Sequence, residues 1–139
     1  MEKLEHIGIA VKDLKSANRL FASLLGREHY KTEEVPSEGV TTSFFEIGGI
    51  KIELLEASGE DSPIAKFIEK RGEGIHHLAF EVSDIRKRLP EFEAKGFQPI
   101  NPEPKKGADN KMICFLHPKS TQGVLIELCE EIKSLSASS

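Results

Sequence analysis

Leu4–Leu14 reads LEHIGIAVKDL and Ile75–Ile85 reads IHHLAFEVSDI, and the two follow one pattern. His6 matches His77 and Asp13 matches Asp84, each pair 71 residues apart. Both segments continue through a helix-like stretch to a glycine, Gly26 and Gly96. Further on, Ile50–Glu56 (IKIELLE) matches Val124–Glu130 (VLIELCE), with Glu53 opposite Glu127 at an offset of 74. A few residues of loop account for the drift. Each half therefore reads as a strand with His, a helix, a glycine stop, further strands and a strand with Glu.

Strict alternation identifies the strands and sorts their side chains by face. Ile7, Ile9 and Val11 share one face of the first, with His6, Gly8 and Ala10 on the other. Leu78, Phe80 and Val82 oppose His77, Ala79 and Glu81 in the same way. Ile50, Ile52 and Leu54 oppose Glu53, and Val124, Ile126 and Leu128 oppose Glu127. If helices cover the bulky faces, His6, Glu53, His77 and Glu127 all point into a second, more polar surface. The expected fold is α+β: two tandem βαβββ modules, 4–57 and 75–131, forming one curved mixed sheet around a metal-holding cleft.

Asp13 is placed to cap a helix with the stripe Leu14, Ala17, Phe21 and Leu24, and Asp84 to cap one with Ile85, Leu89 and Phe92. Pro90 should bend the second or break its first turns. A linker helix is expected over 62–71, from Ser62-Pro63 to the Gly72-Glu73-Gly74 stop. Strands are also expected at Thr42–Ile47 and Met112–Leu116. Asn101–Lys111 (NPEPKKGADNK) is a long polar loop, and 132–139 reads as a frayed tail.

The chain of 139 residues is one domain long, enough to bury a core without disulfides or structural metal. Its net charge of −4, with no basic run beyond three residues, argues against a nucleic-acid binder. No apolar stretch approaches the ~18 residues of a membrane span, and the N-terminus lacks a signal-peptide core. Cys114 and Cys129 are too few for a disulfide scaffold or a thiolate zinc site and read as buried small apolar residues. A soluble cytoplasmic protein is the expectation.

Two imidazoles and two carboxylates suit a borderline divalent metal: zinc, cobalt, nickel, manganese or iron(II). Four protein ligands would leave two octahedral positions open for two oxygens of a bidentate substrate, the mark of a catalytic site. Singly, each residue is more simply a structural histidine or a solvent-facing glutamate; recurrence in both halves favours the metal. His76 has the opposite parity and should point away from His77. His117 should open a turn, and Lys105, Lys106 and Lys111 should be a solvated loop that could meet ligand phosphates.

The chain resembles the vicinal oxygen chelate superfamily and, within it, the methylmalonyl-CoA epimerase family. The narrower resemblance rests on HIGIAVKDL (6–14), DSPIAKFIEKRGEGIHHLAFEV (61–82) and FLHPKSTQGVLIEL (115–128), and it spans Leu4–Glu130. It implies metal ligands His6, His77 and Glu127, with Glu53 as a weaker fourth, and one divalent cation per chain, commonly cobalt. It also implies an acyl-CoA substrate, a homodimer, and interconversion of (2R)- and (2S)-methylmalonyl-CoA in propionate metabolism. Some family members carry a glutamate base on the strand after the turn that here reads SEGVTTSFFEIG (37–48). That position is Thr42, which cannot serve. Glu53 and Glu127, pseudo-symmetric, are the favoured pair of bases; Glu46 is the alternative. The rival activity is glyoxalase I, which resembles the same ligand pattern; an iron(II) extradiol dioxygenase module and a metal-free binding module fit less well.

Overall fold

The computed structural model describes residues 1–133. The strands are β1 (Lys3–Ala10), β2 (Lys31–Val35), β3 (Val40–Ile47), β4 (Ile50–Ala57), β5 (Gly74–Glu81), β6 (Lys105–Lys106), β7 (Lys111–Leu116) and β8 (Ile126–Glu131). The helices are α1 (Leu14–Leu25), α2 (Pro63–Arg71) and α3 (Ile85–Ala94). All eight strands form one sheet in the order β2-β3-β4-β1-β5-β8-β7-β6.

That order is symmetric about the β1–β5 seam. β1 runs parallel to β4 and β5 parallel to β8, while β1 and β5 pair antiparallel. The strand carrying each histidine thus lies beside the strand carrying the glutamate of its own half, and the two histidine strands are neighbours. Helices α1 and α3 cover the bulky faces, while α2 packs on the histidine face. Val11, Leu14, Phe45 and Leu54 pack with Phe21 and Leu25 of α1. Val82, Ile85, Leu89, Phe92, Cys114 and Leu128 pack together under α3. Ile64 of α2 packs with Ala10, Val35, Val40 and Leu55. No described helix is long and apolar enough to cross a membrane.

Local signals act where side chains reach their backbone targets. Asp13 accepts from Lys15 N at 3.3 Å and starts α1, which Gly26 ends in the left-handed region at φ 71°. Ser62 accepts from Ile64 N at 3.1 Å and starts α2. The start of α3 differs from expectation. Asp84 sits at φ 52° and its side chain caps nothing; Glu130 of β8 instead accepts from the N–H groups of Asp84 (2.5 Å) and Ile85 (3.2 Å). Pro90 lies inside α3, which continues through it to Ala94. On α1 the stripe turns away from Leu24, 69% exposed, toward Leu25. Of the expected tail, 134–139 lies outside the described residues.

Candidate functional site

His6 and His77 meet across the seam. His77 pairs with Gly8, and His6 with Ala79. A Cβ on residue 8 would stand 2.2 Å from His77 Cε1, so the ring lies over the glycine backbone and only glycine admits it. The two imidazoles pack edge to face at 5.1 Å, with their Nε2 atoms 3.0 Å apart. Glu127 approaches from β8, Oε1 at 3.3 Å from His77 Nε2 and Oε2 at 3.7 Å from His6 Nε2. Glu53 approaches from β4 on the other edge of the His6 ring, Oε2 at 3.1 Å from Nδ1. All four side chains are buried.

Donor atoms of His6, His77 and Glu127 all lie within 4.8 Å of one another. Glu53 falls instead into a second group, with His6 and Glu5, around the opposite ring nitrogen.

Glu5 was invisible to alternation, which puts it on the face of Ile7. The β1–β5 register slips between Leu4 and His6, leaving Glu5 as an extra residue, and slips again opposite His76. These β-bulges turn both side chains inward. Glu5 Oε1 accepts from His6 Nδ1 at 2.7 Å. His76 does not point away from its neighbour: its Nδ1 lies 2.9 Å from His77 Nδ1, and its ring packs edge-on against Phe67 of α2 at 5.0 Å. Each histidine of the seam thus has a partner on Nδ1, a carboxylate in one half and an imidazole in the other.

The electrostatics are those of crowded, buried carboxylates. Burial pushes the Glu127 carboxyl up to about 8 and Glu53 up to about 7, with the attraction of His6 only partly offsetting it. Burial alone would lower His6, but Glu53, Glu127 and Glu5 outweigh it and raise the ring to about 9. His77 is driven well below its ordinary range by burial and by the neighbouring imidazoles.

The residues fit a divalent cation. Were each Nδ1 to carry its proton toward Glu5 and His76, the two Nε2 lone pairs would face each other at 3.0 Å. Only a proton or a cation between them relieves that repulsion. Ligand bonds of about 2.1 Å put adjacent octahedral ligands about 3.0 Å apart, close to the observed N···N and N···O separations.

These donors line a cavity of about 330 Å³ with apolar walls from Val35, Val40, Leu55, Ile64, Ile113 and Phe115. Thr42 lines it too, fully buried, its Oγ1 without a hydrogen-bond partner. Glu46 shares Thr42's parity but lies four residues nearer the β3–β4 hairpin, exposed, accepting from Gly49 N; it is no alternative base. His117 caps a short 3-10 turn at Pro118–Ser120. Lys105 stands at the cavity edge, 2.8 Å from Glu38; Lys106 is exposed, and Lys111 is buried rather than solvated. The Cys114 and Cys129 thiols are free and buried, and burial raises both.

This fold and sequence match known proteins. The family model described as the glyoxalase/bleomycin resistance protein/dioxygenase superfamily matches residues 5–115, and the chain belongs to that superfamily. It is 45% identical over 130 residues to the ethylmalonyl-CoA/methylmalonyl-CoA epimerase of Cereibacter sphaeroides, covering 91% of this chain and 96% of that one. It superposes on a hypothetical protein from Bacillus halodurans C-125 with a TM-score of 0.91 at 49% identity, covering 95% and 96% of the two chains. A variant of Streptomyces coelicolor methylmalonyl-CoA epimerase, in complex with 2-nitronate-propionyl-CoA, gives 0.89 at 34% identity, covering 94% and 95%. Within the superfamily, its place is among the methylmalonyl-CoA epimerases and their relatives.

Proposed function

We propose that this protein is a metal-dependent epimerase that interconverts (2R)- and (2S)-methylmalonyl-CoA. The observation that carries the reading is the pair Glu53 and Glu127, buried on the two edges of the His6 ring in one cavity. The names of its relatives support the acyl-CoA substrate.

His6, His77 and Glu127 would hold the cation; Glu53, expected as a weaker fourth ligand, lies instead at Nδ1 on the far edge of the His6 ring and is left free to act as a base. When bound, the cation, cobalt on the family resemblance, supplies Lewis-acid stabilisation of the charge that develops on the thioester oxygen, worth several kcal/mol. The protein's own part is proton transfer. Glu53, ionised, takes the proton from C2, and the C–H electron pair moves into the thioester as an enolate. Glu127, its carboxyl protonated once released from the cation, returns a proton to the opposite face of C2. The reverse epimerisation uses the same two groups with exchanged roles. Burial raises both carboxyls, which favours a proton on whichever of them is free of the cation. The apolar walls keep water from the carbanion. Thr42, in place of the carboxylate of some relatives, offers a hydroxyl but no base.

The same reading makes acyl-CoA the ligand and a second copy of the chain its partner. It puts the protein in the cytoplasm, where the unpaired thiols of Cys114 and Cys129 suit a reducing compartment.

Glu53→Gln tests the two-base assignment through deuterium exchange at C2 from each epimer separately. The epimer deprotonated by Glu53 should lose exchange by about 10²-fold or more, while the other, deprotonated by Glu127, continues to exchange. Unchanged rates from both epimers would remove Glu53 from the chemistry.

A further inference from the structure

The β6–β7 loop, from the second half of the chain, reaches across the cleft and ends in a chain of charges that stops at His6. Asp109 carries the loop's side of it. Its Oδ2 lies 2.6 Å from Lys51 Nζ and its Oδ1 2.5 Å from Lys31 Nζ, and its own N–H donates to Glu33 at 2.9 Å. Lys51 in turn donates to Glu5 Oε2 at 2.8 Å, and Glu5 Oε1 accepts from His6 Nδ1 at 2.7 Å. Asp109 holds this place in the left-handed region at φ 58°, which Asp tolerates better than most residues. Next to it, Ala108 packs on the cluster of Val35, Val40 and Leu55 and lines the cavity wall. Glu5 is only 3% exposed, and a buried carboxylate with both oxygens committed has no freedom to turn. His76, the corresponding partner in the other half, is neutral and tied to no such chain.

We propose that Glu5, Lys51 and Asp109 are positioning residues that act in series on His6: the loop fastens Lys51, Lys51 fastens Glu5, and Glu5 takes the Nδ1–H so that Nε2 faces the cation. The proposal rests on the reading of His6 as a ligand. Outer partners of this kind orient the imidazole and raise its basicity.

The test is a titration of chelator-treated protein with cobalt(II), followed by absorbance, alongside ¹⁵N spectra of the histidine rings and thermal unfolding. Glu5→Met should weaken cobalt binding about 10–100-fold, and Glu5→Gln, which keeps an acceptor, should recover part of it. Lys51→Met and Asp109→Asn should weaken it less. Asp109→Asn added to Glu5→Met should cost nothing further, because the two act through one path. The Nδ1–H signal of His6 should shift in Glu5→Met as its acceptor changes from Glu5 to Glu53, 3.1 Å from the same nitrogen, a change that a merely structural role would not produce. Should Glu5→Met fail to fold, Lys51→Met and Asp109→Asn decide the matter alone. Unchanged affinity in Lys51→Met and Asp109→Asn, or full additivity with Glu5→Met, would overturn the relay. His6→Ala separates the two readings: if it binds cobalt as tightly as the parent, the ligand reading itself fails; if it loses binding while the Glu5 and Lys51 variants do not, only the relay fails.

Discussion

Gly8 does more for the site than many of its polar residues. It carries no side chain, and the His77 ring occupies the space one would fill. Gly8→Ala should displace that ring and weaken cobalt(II) binding by about tenfold or more, read by titration of the chelator-treated protein; an unchanged affinity would show that the ring has another resting place. The charge state of His6 gives a second prediction. Below about 9 the ring holds a proton, because its carboxylate neighbours outweigh the cost of burial, and a cation must displace it. Apparent cobalt affinity should therefore rise about tenfold or more per pH unit between pH 6.5 and 8.5, with proton release measurable in buffers of different ionisation enthalpy. An affinity flat across that range would mean that no proton is displaced. His6, His77, Glu53 and Glu127 were legible because the repeat states each twice. Glu5 and Gly8 were not: one depends on a bulge and the other on its cross-strand neighbour, and neither repeats in kind, since their counterparts are His76 and Ala79.

At the scale of elements, period-2 patterning identified β1, β4, β5 and β8 and the faces they bury. It failed where the chain departs from period 2. Each bulge in the seam shifts one residue: His76, expected to point away from His77, turns toward it, and Glu5 turns inward where alternation gives no sign of it. Of the short edge strands, β2 is implied only by the module outline and β6 falls inside the stretch expected as the loop Asn101–Lys111, because Lys31–Val35 and Lys105–Lys106 are mostly polar. The start of α3 shows the same limit. Asp84 has the right chemistry for a cap, but at φ 52° its side chain caps nothing, and Glu130, 46 residues on, accepts both N–H groups. Glu130→Ala should lower stability by about 1 kcal/mol in denaturant unfolding and leave cobalt affinity unchanged. Loss of cobalt binding in that variant would couple the α3 cap to the site.

At the scale of the molecule, the sheet is two copies of one unit joined back to back, and the seam is where their histidines meet. This topology explains why distant repeats can make a single centre: β1 and β5 are neighbours, and β4 and β8 flank them. It also explains why sequence alone could not divide the four residues, since only the geometry separates Glu53 from the His6, His77 and Glu127 group. The most direct measurement is C2 deuterium exchange on methylmalonyl-CoA in heavy water, with cobalt-loaded and chelator-treated protein run in parallel and the glutathione hemithioacetal of methylglyoxal as a second substrate. The account predicts rapid exchange with the loaded protein, loss of it on chelation, and no isomerisation of the hemithioacetal. Exchange that survives chelation, or turnover of the hemithioacetal without exchange on methylmalonyl-CoA, would contradict it.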